Sequence, residues 1–472
     1  MPARRLVPFV AAFAAAKLAL DHITDADLFF HLKLGLDTLA QHRLPITVTY
    51  SWSVPGAPRL PIDWLSQLFW AGAYRLGGFP AVGLAKALLT ALLVVAVGHG
   101  VQRRTRENAR AAALALGLFV ATAASQFFAR PLLVGAVLLA ALVLLLDRIE
   151  DGHPRAALAL PLLFAAWVNS YGGWPVGLAL VGAALARAFV PLPTGRFRTR
   201  GLPPATRGWL LAGAVLSPPA LLVNPSGFAL VVRPFWLLRH RALLSVFDEW
   251  SPVPWTHPGA WALALMVLLL AAAVARSRTP GSPWELPLVA ALAVMALRSA
   301  NQHLFFAIVA APSLAEALAG WLPSAGFLAS RRANASLAGL AAVVLGAVCL
   351  LRLWRWPEDV RSQAPVEAVE ALERSPEGGT RGFAYFDWGG YLVFRGIPTY
   401  VDGRLEPFLD SGIFRRYLEV ERRGDAQWLE RNGVRWLLDR PGTPLPRSLV
   451  GRPGWRLAYE DARSVLWLRE AG

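Results

Sequence analysis

Apolar runs with almost no charge recur along this chain, separated by short polar clusters. The runs are Leu6–Leu20, Pro80–Gly100, Ala111–Ser125, Pro131–Leu146, Ala156–Val168, Trp174–Ala186, Trp209–Val223, Ala260–Val274, Trp284–Leu297, Leu304–Leu318 and Ser336–Leu351. Crossing the hydrocarbon of a bilayer takes about 20 predominantly apolar residues, so the shorter runs must recruit flanking residues. The pattern predicts a mainly α, polytopic membrane protein of about eleven transmembrane helices. Pro61–Leu76 differs, because Asp63, Gln67 and Arg75 interrupt it; it predicts an amphipathic helix lying on the membrane. After Leu353 the long apolar runs stop. Helical patterns at Val366–Arg374, Phe414–Arg422 and Ala426–Asn432 alternate with strand-like runs at Phe383–Phe386, Tyr391–Phe394, Thr399–Val401 and Val434–Leu438. Trp455–Tyr459 and Ser464–Leu468 flank a turn and predict a hairpin. The division expected is a transmembrane domain over 1–355, with outer loops 21–79 and 224–258, and a soluble α/β domain over 356–472.

Composition agrees. Of 472 residues, 55% are hydrophobic and 17% charged, against about 25% charged in soluble domains. A net charge of +16 in a soluble protein would raise nucleic acid as a partner. Here the arginines sit between apolar runs, which makes them a topology signal and excludes that class. With the N-terminus cytoplasmic, Arg103, Arg104, Arg106, Arg110, Arg148, Arg155, Arg187, Arg196, Arg198, Arg200, Arg207, Arg276, Arg278, Arg331 and Arg332 all fall inside. The tail then lies outside. Arg4-Arg5 ahead of the first run lacks a small-residue cleavage site after it, so an uncleaved first span is expected. The single cysteine, Cys349, rules out a disulfide within the chain.

On this topology polar side chains collect at the outer ends of the spans, where charge near a membrane core is costly and usually functional. Asp21, Asp25, Asp27 and His31 follow the first span, and Arg130 opens the fourth. Asn169 and Tyr171 end the fifth, and Asn224 ends the seventh. Asp248 and Glu249 precede the eighth, and Arg298, Asn301 and His303 occupy the turn before the tenth. Thr24-Asp25-Ala26-Asp27-Leu28-Phe29-Phe30-His31 starts a helix. Thr24 or Asp25 reads as its N-cap, while Asp27 and His31, four apart, share a face. Two carboxylates and an imidazole can deprotonate a hydroxyl or hold a hard divalent ion such as Mg or Mn, with Asp25, Asp27 and His31 the ligands. Arg130 and Arg298 read either as interfacial anchors or as phosphate ligands. Val231–Trp250, with Arg233, Arg239, His240 and Arg241, reads as a helix in the headgroup layer or a basic collar for a lipid phosphate.

The Asp25-Ala26-Asp27 pair after the first span, with many spans and a non-cytoplasmic tail, resembles the GT-C superfamily of membrane glycosyltransferases. The chain is similar to a group of multispanning bacterial proteins assigned there. The similarity runs through Asp25–Gly35, Asp63-Trp64-Leu65-Ser66, Arg130-Pro131, Trp167-Val168-Asn169, Asn224–Gly227, Glu249–Pro252, Trp388–Leu392 and Asp402-Gly403-Arg404. The group commonly carries tryptophans at Phe29 and Phe30, often a glutamate at Asp63, and a histidine at Tyr171. The resemblance implies transfer of a sugar from a polyprenyl-phosphate donor to a glycan, lipid or protein acceptor outside the cytoplasm, in a bacterial inner membrane. It assigns Asp27 as base, assisted by Asp25 and His31. Arg130 and Arg298 would hold the donor phosphate, and Asn169, Tyr171, Asn224, Asp248, Glu249 and His303 would shape the sugar site. A transporter of lipid-linked glycans and a non-catalytic scaffold are the alternatives; a transporter requires polar residues at mid-membrane depth.

Overall fold

In a bilayer every main-chain polar group must be satisfied within its own segment, which leaves the helix as the form open to an apolar run. The computed structural model describes residues 3–21, 25–105, 108–191, 201–240, 247–276, 283–323 and 331–470. Thr24, Arg106, Arg196, Arg198, Arg200, Arg241 and Arg278 lie outside them. Every apolar run falls on a helix. In order these are α1 (Ala3–Ala19), α2 (Ala26–Gln41), α3 (Trp64–Thr105), α4 (Ala109–Ala123), α5 (Pro131–Glu150), α6 (Ala159–Ser170) and α7 (Trp174–Phe189). There follow α8 (Pro204–Ala220), α9 (Phe228–Arg239), α10 (Pro258–Ala275), α11 (Leu286–Ala296), α12 (Gln302–Trp321) and α13 (Arg331–Trp354).

Among the described residues six helices are long and apolar enough to cross a membrane: Trp64–Thr105, Ala109–Gln126, Pro131–Glu150, Pro258–Ala275, Gln302–Trp321 and Arg332–Trp354. The other five expected spans are shorter, α11 having 11 residues and α6 having 12. At about 1.5 Å per residue, neither matches a core about 30 Å thick by itself. α3 is interrupted at Gly77 and Gly78, the latter at φ 64°. The amphipathic stretch up to residue 76 is thereby a helix of its own.

The chain divides into two compact units. A helical unit comprises Met1–His22 and Gly83–Leu353; a loop–tail unit comprises Ile23–Val82 and Trp354–Gly472. Residues 23–82, which include most of the first loop, group with residues 354–472.

Within the helical unit, polar links join helix ends in a consistent way. Arg103 at the end of α3 pairs with Asp151 beyond α5 (2.5 Å), and Arg104 pairs with Glu316 near the end of α12 (3.1 Å). Arg187 at the end of α7 pairs with Glu150 at the end of α5 (2.7 Å). The Asn108 amide donates to the Leu322 carbonyl (2.9 Å). Asp21 after α1 holds both Lys17 (2.7 Å) and Arg352 near the end of α13 (3.2 Å). Each link joins ends that an alternating count of eleven spans puts on one side. Three of the arginines expected to mark the inner face, Arg103, Arg104 and Arg187, thus carry carboxylate partners. Arg104, Asp147, Glu150, Arg187 and Glu285 line a cavity at that end.

The loop–tail unit is built around a four-stranded sheet, β1 (Gly382–Ala384), β2 (Trp436–Asp439), β3 (Trp455–Glu460) and β4 (Val465–Arg469), in the order β1-β2-β4-β3. β1 and β2 are parallel, and β3 and β4 form the expected antiparallel hairpin. Tyr391–Phe394, expected as a strand, is helical within α14 (Gly389–Phe394). The reason lies in tertiary packing. Gly390 sits against the Ala26 carbonyl at the start of α2, where a Cβ would come within 2.4 Å. Phe29 meets Tyr391 edge-on at 5.0 Å, and Val393 packs with Phe30 and Leu34. Each such buried side chain contributes about 1.5–3 kcal/mol, enough to override the preference of a four-residue run. The loop following α2 closes on the tail as well. Trp52 Nε1 donates to the Gly382 carbonyl (2.7 Å), Ser53 Oγ to the Tyr400 carbonyl (2.5 Å), and Ser51 bridges Thr399.

Candidate active site

α2 starts as a capped helix. Asp25, 4% exposed, has extended backbone, and its Oδ1 accepts from the main-chain N–H of Asp27 (2.9 Å) and Leu28 (3.1 Å). Of the two candidate caps, Asp25 is therefore the one seen. Such a cap is worth about 0.5–2 kcal/mol, and it fixes the first turn, on which Asp27 stands. The Asp27 carboxylate faces the Asp402-Gly403-Arg404 turn. A Cβ on Gly403 would lie 2.7 Å from Asp27 Oδ1 and 2.9 Å from the Phe30 ring. His31 is buried one turn on, its Nδ1 3.3 Å from Gln67 Nε2, its ring against Phe30.

Asp25, Asp27 and His31, the candidate ligands for a divalent ion such as Mg or Mn, do not converge as a ligand set. Among the described residues no three His, Cys, Asp or Glu side chains converge as a ligand set. Asp25 Oδ1 is committed to two amides, and His31 Nδ1 faces a carboxamide. The residues present do not fit the ion.

Sequence reasoning gave no role to the charges behind Asp27. Asp402 and Arg404 form an ion pair with both side chains fully buried. Arg404 Nε and Nη2 donate to the two carboxylate oxygens at 2.7 and 2.6 Å, and its main-chain N–H donates to Oδ1 at 3.0 Å. Arg59, from the loop after α2, is buried too and donates to the Pro45 carbonyl at 3.4 Å. Burial above all, and then the Arg404 guanidinium, hold Arg59 down at about 10, against the opposing pull of Glu406, Asp402 and Asp63. Only the Asp-Gly-Arg turn left a trace in the sequence; Arg59 reads there as an ordinary loop arginine.

In the helical unit, Arg130 precedes Pro131 at the start of α5. It pairs with Glu249 and lies over the Phe128 ring (5.3 Å). The Glu249 carbonyl accepts from Ser299 Oγ and the Asn301 N–H, both at 3.0 Å. The structure thus brings Arg130, Glu249 and the turn containing Arg298 together, from segments well apart in sequence. Arg298 itself is exposed. Asp248 and Glu249 belong to one short 3₁₀ turn. Asn169 donates to the Ala165 and Val223 carbonyls (2.7 and 2.8 Å), tying the end of α6 to the end of α8. Asn224 donates to Leu221 and Gly227 carbonyls (2.7 and 2.9 Å) and holds the following turn. Tyr171 stacks on Phe305 (5.9 Å) over Gly135 and Gly173. His303 is buried at the start of α12, and its Nδ1 has no hydrogen-bond partner among the described residues. Lys86 on α3, fully buried, escaped the sequence reading because it interrupts an apolar run only once. Arg233 at α9 lies over Trp236 at 4.1 Å.

The fold and these clusters define a multispanning helical protein with a mixed loop–tail unit. No family model matches the sequence, and no curated protein matches it. Solved structures do match. The oligosaccharyltransferase of Archaeoglobus fulgidus, tethered to an acceptor peptide, superimposes over 93% of this chain and 69% of its own at TM-score 0.53 and 12% identity. ArnT from Cupriavidus metallidurans in the apo state matches over 97% of this chain and 96% of its own, at TM-score 0.52 and 15% identity. The same protein bound to undecaprenyl phosphate covers 97% of both chains at TM-score 0.51 and 15% identity. The chain shares the fold of these two proteins over most of its length.

Proposed function

We propose that the chain is a membrane glycosyltransferase that moves a sugar from a polyprenyl-phosphate donor to an acceptor hydroxyl or amide at the extracytoplasmic face of a bacterial inner membrane. The acceptor atom attacks the anomeric carbon as the bond to the phosphate oxygen breaks. The acceptor proton goes to Asp27 and the electron pair leaves with the lipid phosphate. Arg130 and Arg298 stabilise the departing phosphate, and Asp25 orients Asp27 through the helix cap. His31 supports the same turn from its buried position. Asp248, Glu249, Tyr171 and His303 contact the sugar, while Asn169 and Asn224 fix the turns around it. About eleven spans with the tail outside remain the topology of this reading, supported by the same-side linkage of helix ends.

The observation that carries the proposal is the capped turn that holds the Asp27 carboxylate against Gly403, in a chain whose fold matches ArnT over nearly its whole length. The test uses the full chain in nanodiscs with a panel of radiolabelled polyprenyl-phosphate sugars. Asp27→Asn should keep the wild-type melting temperature and lose transfer by about 10²–10⁴-fold. Undiminished transfer by that variant, or no turnover of any donor by the wild type, would overturn the assignment.

A further inference from the structure

One helix of the tail, α15 (Ile413–Arg423), carries more positive charge than its own stability accounts for. Phe414, Tyr417 and Val420 are buried on one face, while Arg415, Arg416, Arg422 and Arg423 stand exposed on the other. At about 100° and 1.5 Å per residue, the four arginines lie within an arc of about 120° and a length of about 12 Å. The acids on and beside the helix are already matched. Glu419 pairs with Arg416 (2.8 Å), Glu421 with Arg440 (3.6 Å) and Asp425 with Arg431 (3.9 Å). Among the described residues Arg415, Arg422 and Arg423 have no ion-pair partner, and neither has the exposed Arg447 of the short helix Pro444–Arg447 packed against α15. Helix electrostatics explain only part of the pattern. Cations suit the last turn, where Arg422 and Arg423 stand, and are disfavoured in the first turn. Arg415 and Arg416 occupy that first turn, which has no acid and no side-chain cap. Nor is the tail basic throughout. Glu358, Asp359, Glu367, Glu370, Glu373 and Glu377 crowd its first segment, so the two signs are segregated along the chain.

We propose that the exposed face of α15, together with Arg447, is a docking surface for the anionic headgroups of a lipid bilayer. Charge spread along the outside of a helix meets a flat array of phosphates better than it encloses a single ion. The loop–tail unit is continuous with membrane helices at both ends, α3 at residue 82 and α13 at residue 354, so a bilayer is always within reach of it. A tethered partner has a high effective concentration, and modest attraction at each arginine then suffices. Guanidinium groups are weakly hydrated and donate two parallel hydrogen bonds to a phosphate. Docking restrains α15, whose inner face holds the segment after β1: the Tyr417 hydroxyl accepts from the Phe386 N–H at 2.9 Å. That segment leads into α14. An effect of lipid charge on transfer rests on the transfer reading above; the docking does not. None of these arginines belongs to the candidate active site.

The test uses the full chain in nanodiscs of phosphatidylcholine alone or mixed with phosphatidylglycerol. Leu418→Cys, made in a Cys349→Ala background, carries a polarity-sensitive fluorophore at the rim of the basic arc. Emission should shift to the blue in the anionic discs only, and high salt should reverse the shift. Each arginine near an anionic surface changes the docked-to-free ratio by about 5-fold. The triple variant Arg415→Gln/Arg422→Gln/Arg423→Gln should therefore lower that ratio by about 100-fold and lose the shift. Arg415→Gln alone removes a cation from the unfavourable start of the helix, so it should melt no lower than wild type while weakening docking by about 5-fold. Lysine at the same three positions should keep the shift, since attraction to a surface needs the charge. Arg361→Gln/Arg374→Gln, which removes two exposed arginines elsewhere in the tail, should keep it as well. Equal emission in the two lipids, or a shift undiminished in the triple glutamine variant, would overturn the proposal. So would a shift caused by soluble polyphosphate but not by anionic discs, which would give the face to a polyanion in solution. Docking is read without turnover, so an active Asp27→Asn protein would sink the transfer reading and leave this result standing.

Discussion

Gly403→Ala is the sharpest probe of the proposed base. The backbone there lies outside the left-handed region, so alanine brings no conformational strain, only its methyl group. That methyl would stand 2.7 Å from Asp27 Oδ1 and 2.9 Å from Phe30 Cε1. Ordinary contact is about 3.5 Å, so both neighbours must retreat by roughly 0.5–1 Å. Phe30 is buried and packed against Leu34 and Val393, so its ring gives less readily than the carboxylate, which stands at the end of a short flexible side chain. Overpacking in cores costs about 1–3 kcal/mol, and this variant falls within that range. A misplacement of about 1 Å in a reacting group, by contrast, can cost about 10²-fold in rate. The expected outcome is a melting temperature within a few degrees of wild type and transfer reduced by about 10²-fold, with donor KM nearly unchanged. Gly379→Ala, also in the tail and with open space around its Cβ, should match wild type in both assays. Full transfer by Gly403→Ala at wild-type stability would show that the position of Asp27 does not matter to the reaction.

Other expectations follow from the same geometry. Glu249→Gln releases Arg130 from its ion pair, so polyprenyl-phosphate binding, read by titration in nanodiscs, should tighten by about 10-fold, or about 1.4 kcal/mol; weaker binding would mean that Glu249 orients Arg130 rather than competing for it. Asp402→Ala leaves the Arg404 guanidinium buried without its counter-ion and should cost about 3–5 kcal/mol, seen as a lower melting temperature and early proteolysis of the tail. A loss below about 1 kcal/mol would place that pair in water. Asp25→Ala should destabilise by about 0.5–2 kcal/mol, whereas Asp25→Asn, still able to cap, should retain both stability and most transfer; transfer lost in both alike would give Asp25 a chemical role of its own.

The apolar runs were legible because a membrane helix must satisfy its backbone internally and meet hydrocarbon outside, so its sequence carries the whole instruction. Asp25 was legible as a cap because capping is a three-residue event. Tyr391–Phe394 was not, because a four-residue apolar run fits a strand or a helix equally, and contacts with Phe29 and Ala26 decide it from more than 300 positions away. The union of the first loop with the tail was hidden for the same reason. Trp52 and Gly382 are bonded across 330 positions, and nothing local to either announces it. The counter-ions of Arg103, Arg104 and Arg187 were visible as residues but not as partners.

The burial of Asp402 with Arg404 was the least legible feature and has the widest consequence. Charged side chains in a tail are expected in solvent, yet Asp402 and Arg404 are fully buried as a pair, whereas Arg298 is exposed and Arg130 is partly buried beside Glu249. An exposed guanidinium is screened by water and salt, so its hold on a phosphate is weaker than that of a partly buried one. On the transfer reading Arg298→Gln should therefore weaken polyprenyl-phosphate binding less than Arg130→Gln. Titration of both variants in nanodiscs with the same ligand checks this, and an equal loss would show that burial does not set the strength of the phosphate contact.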